Sequence, residues 1–272
     1  MGRLISAFIL FVSLHSFAAG DTTLQLQLIK TIPGSYSNFY TDNLQNIYLI
    51  AAPSNQIKKL DNNGDSVAVF NISTRYGKVY SMDVSNPLKM LVYYKDFATI
   101  VLLDQFFAIR SVIDLRRFGI TQVKAVALSY DGNIWLYDEG EGKLKKIDVS
   151  GNVLVESADL RLVFDNALNP TKVIDNNSHL YLYDSKLGWL IFDYYTAFKK
   201  QLQFTGWKDV AADDNRLSGR DENHFFYAMQ NDIDFHTLQS NIGLVNAVKT
   251  SWQQNKLYVL GKDGINIYSL LQ

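Results

Sequence analysis

Asp131-Gly132-Asn133-Ile134-Trp135-Leu136-Tyr137, followed by Lys143-Leu144-Lys145-Lys146-Ile147-Asp148 and then Ser150-Gly151-Asn152, is the stretch that decides the fold. A turn pair leads into a short run rich in aromatic and branched residues. A polar loop and a second strand follow, then another tight turn. Asn, Asp and Gly tolerate the left-handed geometries that two-residue hairpins require. The run itself is too short for a helix and has strand composition. The unit therefore reads as consecutive antiparallel strands, here called a to d.

The same unit recurs along the chain. Apolar leads stand at Ile47, Leu91, Ile134, Leu180, Phe225 and Leu257, within Asn46–Ile50, Met90–Tyr94, Asn133–Tyr137, His179–Tyr183, His224–Tyr227 and Lys256–Leu260. Successive spacings are 44, 43, 46, 45 and 32 residues. Repeats of about 40–50 residues with four strands each are the signature of a β-propeller. Each lead is read as strand b, preceded by a turn such as Ser85-Asn86-Pro87, Asp175-Asn176-Asn177 or Asp221-Glu222-Asn223. The short last spacing leaves five blades as a rival to six.

The two ends favour six. Thr22 to Ile29 alternates strictly with period two and has no strands a to c before it. Gly264 to Leu270 reads as a strand c with no d after it. Joining the two closes a ring and removes an open sheet edge. The expected fold is an all-β, six-bladed propeller of four-stranded blades, closed by the N-terminal strand in the last blade. Leu24, Leu26 and Leu28 are expected on one side of that strand, opposite Ile265 to Tyr268.

Ahead of this lies a targeting signal. Arg3, the apolar run Leu4 to Leu14, and the small residues Ala18, Ala19 and Gly20 compose a signal peptide over residues 1–19, with cleavage after one of those three. The run is shorter than a membrane span needs. Residues 20–272 then form a single propeller domain. The chain has no cysteine, so neither a lipid-anchoring cysteine nor a disulfide framework is available. Export without disulfides suits a periplasm. Removing Arg3 leaves 25 basic and 27 acidic residues, which argues against a nucleic-acid partner. No second long apolar run follows, so no direct membrane span is expected.

Chemistry is sparse. Asp61-Asn62-Asn63-Gly64-Asp65 lacks the distal Glu of a calcium loop. His179, His224 and His236 have no metal-binding spacing, and His179 and His224 fall at equivalent strand-b starts. Asp138, Glu139 and Glu141 are too adjacent to flank a glycosidic bond as a catalytic pair. No catalytic residue, metal or cofactor is assigned. The d–a and b–c loops share one face and carry Arg75, Tyr76, Lys95, Asp96, Phe97, Arg116, Arg117, Phe118, Trp189, Trp207 and Lys208. Arginines and aromatics are the residues enriched at interface hot spots, so this is the expected face for a protein partner.

The unit from Asp131 to Asn152 resembles the repeats of NHL-like propellers. Phe39 to Leu49 and Asp83 to Phe97, with Asn86-Pro87 and Tyr94-Lys95-Asp96, resemble a periplasmic propeller family of Bacteroidota that includes the plug subunit of the type IX secretion translocon. The resemblance implies a non-enzymatic module docked at the periplasmic side of an outer-membrane complex. A propeller enzyme of lyase or lactonase type, or a module for a small ligand or cell-wall fragment, is the alternative.

Overall fold

The computed structural model describes residues 23–71, 73–164 and 167–271. Residues 1–19, expected to form a signal peptide, lie outside the described residues. Six antiparallel sheets form six blades. Blade I is Tyr36–Thr41, Ile47–Ala51, Ile57–Leu60 and Ser66–Phe70. Blade II is Ser81–Asn86, Lys89–Tyr94, Thr99–Asp104 and Ile109–Asp114. Blade III is Val123–Leu128, Ile134–Asp138, Lys143–Ile147 and Val153–Glu156. Blade IV is Pro170–Asn176, His179–Asp184, Gly188–Phe192 and Phe198–Leu202. Blade V is Lys208–Asp213, Arg216–Arg220, Phe225–Met229 and His236–Ser240. Blade VI takes Lys249–Gln253, Lys256–Gly261 and Gly264–Leu270, and its strand d is Leu26–Pro33.

Closure is as expected, with two refinements. Leu26 pairs with Leu270 and Ile32 with Ile265 in an antiparallel ladder. Thr23–Leu24 breaks off and runs parallel to Gln239 and Ser240 of blade V. The N-terminal segment thus ties two blades together. Leu26 is buried with Leu24 packed beside it against Phe225 and Leu257, whereas Leu28, two residues further along the same regular ladder, is exposed.

Blade V overturns one assignment. Its strand b is Arg216–Arg220, and Phe225–Met229 is strand c. Asp221-Glu222-Asn223 is therefore a b–c turn, and the a–b hairpin turns at Asp214-Asn215. His224 accordingly precedes strand c and is not equivalent to His179. With Leu217 as the strand-b lead, the last spacings become 37 and 40 residues. Five blades are excluded.

The strand composition follows from where the core sits. Six apolar clusters fill the six gaps between neighbouring blades, including the closing gap between VI and I, where Tyr258 and Ile265 meet Phe39 and Leu49. The middle strands are consequently buried on both faces, so Ile134–Asp138 and Leu180–Asp184 are inaccessible throughout. Both-face burial replaces alternation with a continuous apolar run. At the c–d turns of blades I to IV, Asp61, Asp104, Asp148 and Asp193 each accept the backbone N–H groups two and four residues on, at 2.8–2.9 Å. The acidic turn at Asp61 is a self-closed hairpin end.

Candidate functional site

The d–a connection after blade II is built by its capping residues. Asp114 accepts the Arg116 N–H at 3.2 Å, and Gly119 ends the turn at φ 75°, where a side chain would be strained. Between them Leu115–Phe118 makes one 3-10 turn. Leu115 is buried and anchors the turn, leaving Arg116 and Arg117 on the surface. The b–c connection of the same blade, Lys95–Phe97, is a second such turn, ended by Ala98 in the left-handed region. The short helix Ser73–Tyr76 arrives from blade I.

These three connections enclose a cleft of about 300 Å³ lined by Arg75, Tyr76, Phe97, Thr99, Val112, Asp114, Arg116 and Arg117. Arg116 grips Asp114 with two hydrogen bonds, Nε to Oδ1 at 2.8 Å and Nη2 to Oδ2 at 2.9 Å. That hydrogen bonding holds the Asp114 carboxyl below the usual carboxylate range. Arg117 reaches the same carboxylate only at 3.9 Å, and its side chain is 81% exposed. Arg75 stacks over Tyr76 at 5.1 Å and Arg116 over Phe97 at 6.0 Å. Three guanidiniums thus face a single carboxylate on aromatic walls. The surplus is cationic.

Five expected face residues converge there: Arg75, Tyr76, Phe97, Arg116 and Arg117. Others do not. Lys95 stands beside the cleft over the Tyr80 ring at 4.8 Å, and Asp96 is exposed in the same turn. Phe118 leaves it and packs its ring on Gly151 of blade III. Lys208 is bonded to Glu222 at 2.9 Å in blade V. Trp189 and Trp207 are corrected outright. They are 0% and 4% exposed, and they belong to the IV/V cluster, where Trp207 stacks between Phe204 and Phe226 at 5.4 Å. A buried ring cannot touch a partner. Thr99, Val112 and Asp114 were not anticipated; of these, only Asp114, five residues before Gly119, carried a sequence signal, as a helix cap.

A second cleft opens at the opposite end, lined by Ser85, Lys89, Ser129, Tyr130 and Asp175 among others. Its carboxylate is committed internally. Asp175 accepts Ser129 Oγ at 2.7 Å, Trp135 Nε1 at 3.1 Å and Tyr194 Oη at 2.5 Å.

The acidic loop of blade III is committed too. Asp138 pairs with Lys145 at 2.8 Å in the interior, Glu141 with Lys145 at 3.0 Å, and Glu139 with Lys124 at 3.1 Å. Lys145 holds the Glu141 carboxyl below its ordinary value, whereas a glycosidic general acid needs a raised one. Among the described residues, no three His, Cys, Asp or Glu side chains gather as a metal site would require, and no helix is long and apolar enough to cross a membrane.

No family model and no curated protein matches the chain. Solved structures do. Streptogramin B lyase superposes with TM-score 0.60 at 13% identity, covering 86% of this chain and 78% of that one. A catalytically inactive virginiamycin B lyase from Staphylococcus aureus, solved with quinupristin, gives TM-score 0.64 at 10% identity, covering 90% and 99%. The Cps50 (Swd1) propeller domain of Myceliophteria thermophila gives 0.59 at 10%, covering 90% and 100%. The lyases and the Cps50 (Swd1) propeller domain match at similar TM-scores and all at low identity, so what is shared is the fold: this chain is a six-bladed β-propeller.

Proposed function

We propose that this propeller is a non-enzymatic docking module that binds an acidic surface of a protein partner through the cleft between the blade I and blade II connections. The observation that carries this reading is the convergence of Arg75, Arg116 and Arg117 on Tyr76 and Phe97 with one carboxylate to balance them. A standard interface takes about 800 Å² per partner, so the cleft would be the anchor of a larger contact across neighbouring loops. The signal-peptide reading of residues 1–19 and the resemblance to periplasmic propellers support a partner at the periplasmic side of the outer membrane. In the most specific form of this reading, the propeller caps the type IX secretion channel.

The test is co-purification with an outer-membrane channel subunit from detergent-solubilised envelopes. Arg75→Glu/Arg117→Glu should reduce recovery at least tenfold while the melting temperature stays put, because exposed loop charges contribute little to stability. Undiminished recovery by the folded variant would remove this face from the interface. Recovery of the native protein only as a free monomer would remove the capping role.

A further inference from the structure

Blade V carries a fifth strand. Thr23–Leu24 lies on the outer side of its strand d, parallel to Gln239 and Ser240, and Leu24 accepts the Asn241 N–H at 3.2 Å. A strand d at the rim keeps one row of N–H and C=O groups unpaired, and backbone pairing is what holds the newcomer. An outer edge of this propeller therefore accepts a further strand, and the accepted direction is parallel.

The outer edge of blade II is open. Among the described residues, Ile109–Asp114 pairs on one side only, with Thr99–Asp104. The ladder shifts register between Ile109 and Ser111, which puts Ile109, Val112 and Asp114 opposite Leu103, Val101 and Thr99. Val101 and Leu103 pack in the gap between blades I and II, so those three residues stand on the blade I side. Ser111 stands on the other side and donates to the Val149 carbonyl of blade III at 2.9 Å. Ile109 and Val112 are 45% and 42% exposed. They form a short apolar stripe that runs along the open edge into the cationic cleft, whose wall holds Val112 and Asp114 together with Arg75, Arg116 and Arg117. Beyond Asp114 the chain turns into Leu115–Phe118, so the open ladder stops at the cleft.

Direction decides the occupant. A strand added antiparallel brings its N-terminal end to Asp114, where a terminal ammonium would meet surplus guanidiniums. A strand added parallel, as Thr23–Leu24 is, brings its C-terminal end there. Arg117 reaches Asp114 only at 3.9 Å and its side chain is 81% exposed, so its planar fork keeps donors for a second carboxylate. We infer that blade II binds the C-terminal segment of a partner protein as a fifth, parallel strand on Ile109–Asp114, with the terminal carboxylate held between Arg75 and Arg117. This rests on the docking reading above and specifies its occupant. Backbone pairing supplies affinity, and the carboxylate fixes the register of the added strand.

The experiment is fluorescence polarisation of the purified protein with an N-terminally labelled six-residue peptide of alternating valine and threonine. It is used with a free C-terminus, with an amidated one, and in two forms N-methylated on alternate amides, one pattern odd and the other even. The free peptide should bind saturably, and amidation should weaken binding at least tenfold. Only one N-methylation pattern should weaken it comparably, because alternate residues of a strand turn their N–H groups to opposite neighbours. Val112→Glu puts a negative charge beside the cleft at an exposed position, so it should keep the melting temperature and weaken the free peptide at least tenfold. If that variant misfolds, the N-methylated peptides carry the test on the native protein. No saturable binding of the free peptide, equal binding of the amidated one, or equal effects of the two N-methylation patterns would overturn the added strand. The docking reading is judged separately by co-purification. Partner recovery lost in Arg75→Glu/Arg117→Glu but kept in folded Val112→Glu would leave the cleft as the docking site and remove the added strand. Recovery undiminished in both would remove the cleft itself.

Discussion

Blades IV and V are neighbours with the same four-stranded plan, yet their second strands are built in opposite ways. In blade IV the strand is His179-Leu180-Tyr181-Leu182-Tyr183-Asp184, and the five residues from Leu180 are buried. Hairpin register places Arg216-Leu217-Ser218-Gly219-Arg220-Asp221 on the same positions in blade V. Asp184 and Asp221 keep one role, each accepting the N–H two residues on, at 2.8 and 2.7 Å. Leu182 and Tyr183, however, are replaced by Gly219 and Arg220. The missing bulk comes from outside the strand: Trp207, in the connection between the two blades, covers Gly219 so closely that a Cβ there would lie 2.9 Å from its ring. The lost apolar partner is replaced by the interior Arg220–Asp209 pair. One blade packs with its own strand, and the other packs with a loop and an ion pair.

The largest expected effect concerns the edges. Blade IV closes on its own Phe198–Leu202, whereas blade V leans on Thr23–Leu24 and blade VI on Leu26–Pro33. Starting the chain at Ile32 should lower the melting temperature by roughly 10 °C, since each kcal/mol moves a chain of this length by about 2–4 °C and the lost strand contributes a few kcal/mol. Hydrogen exchange should locate the loss, with amides of blades V and VI exposed and those of blade IV still protected. A melt within two degrees of the parent would show that the N-terminal strand is not what closes the ring.

Next comes the ion pair. Arg220→Met leaves Asp209 charged in the interior with only Thr250 as donor, which should cost about 3–5 kcal/mol. At the aligned position of blade IV, Tyr183→Phe removes one acceptor, to which Trp207 N donates at 2.6 Å, and should cost about 1–3 kcal/mol. Denaturant unfolding measures both. A smaller loss for Arg220→Met than for Tyr183→Phe would mean that blade V does not depend on its pair.

This contrast also explains what could be read from the residues beforehand. Blades I to IV are legible because a strand buried on both faces advertises itself as a run such as Ile134–Tyr137. In blade V the Gly219-Arg220 strand carries no such signal, and Phe225-Phe226-Tyr227, the nearest apolar run, stands in its place. At the site, Arg75, Phe97, Arg116 and Arg117 were legible because loop arginines in a propeller have nowhere to go but the surface. Trp189 and Trp207 were not, because an aromatic at a loop or strand end can turn inward to fill a gap that only the neighbouring blade reveals.

A finer probe of the loop-filled packing is Gly219→Ala. The added methyl meets two Trp207 carbons at 2.9 and 3.0 Å and the Lys208 carbonyl at 3.3 Å. Trp207 is stacked on both sides and has no room to retreat. Overpacking of this kind should cost about 1–3 kcal/mol, and the near-ultraviolet signal of the tryptophans should change with it. A neutral Gly219→Ala would mean that Trp207 can shift freely.

The smallest effect tests whether the interior pair of blade V is special or whether any ion pair there would serve. Lys208 and Glu222 form a second pair in the same blade, at 2.9 Å, but with side chains 53% and 61% exposed. Both ends keep most of their hydration, and holding two long side chains in register costs entropy, so such pairs contribute between nothing and about 1 kcal/mol. Glu222→Gln should therefore shift the unfolding free energy by less than about 1 kcal/mol, and that small shift should fade as salt screens the pair. The Arg220→Met loss should persist in the same salt, because an interior pair is screened far less. Equal salt sensitivity in the two variants would place Arg220 and Asp209 in contact with solvent, and the account of blade V as a blade packed around a buried charge pair would fall with it.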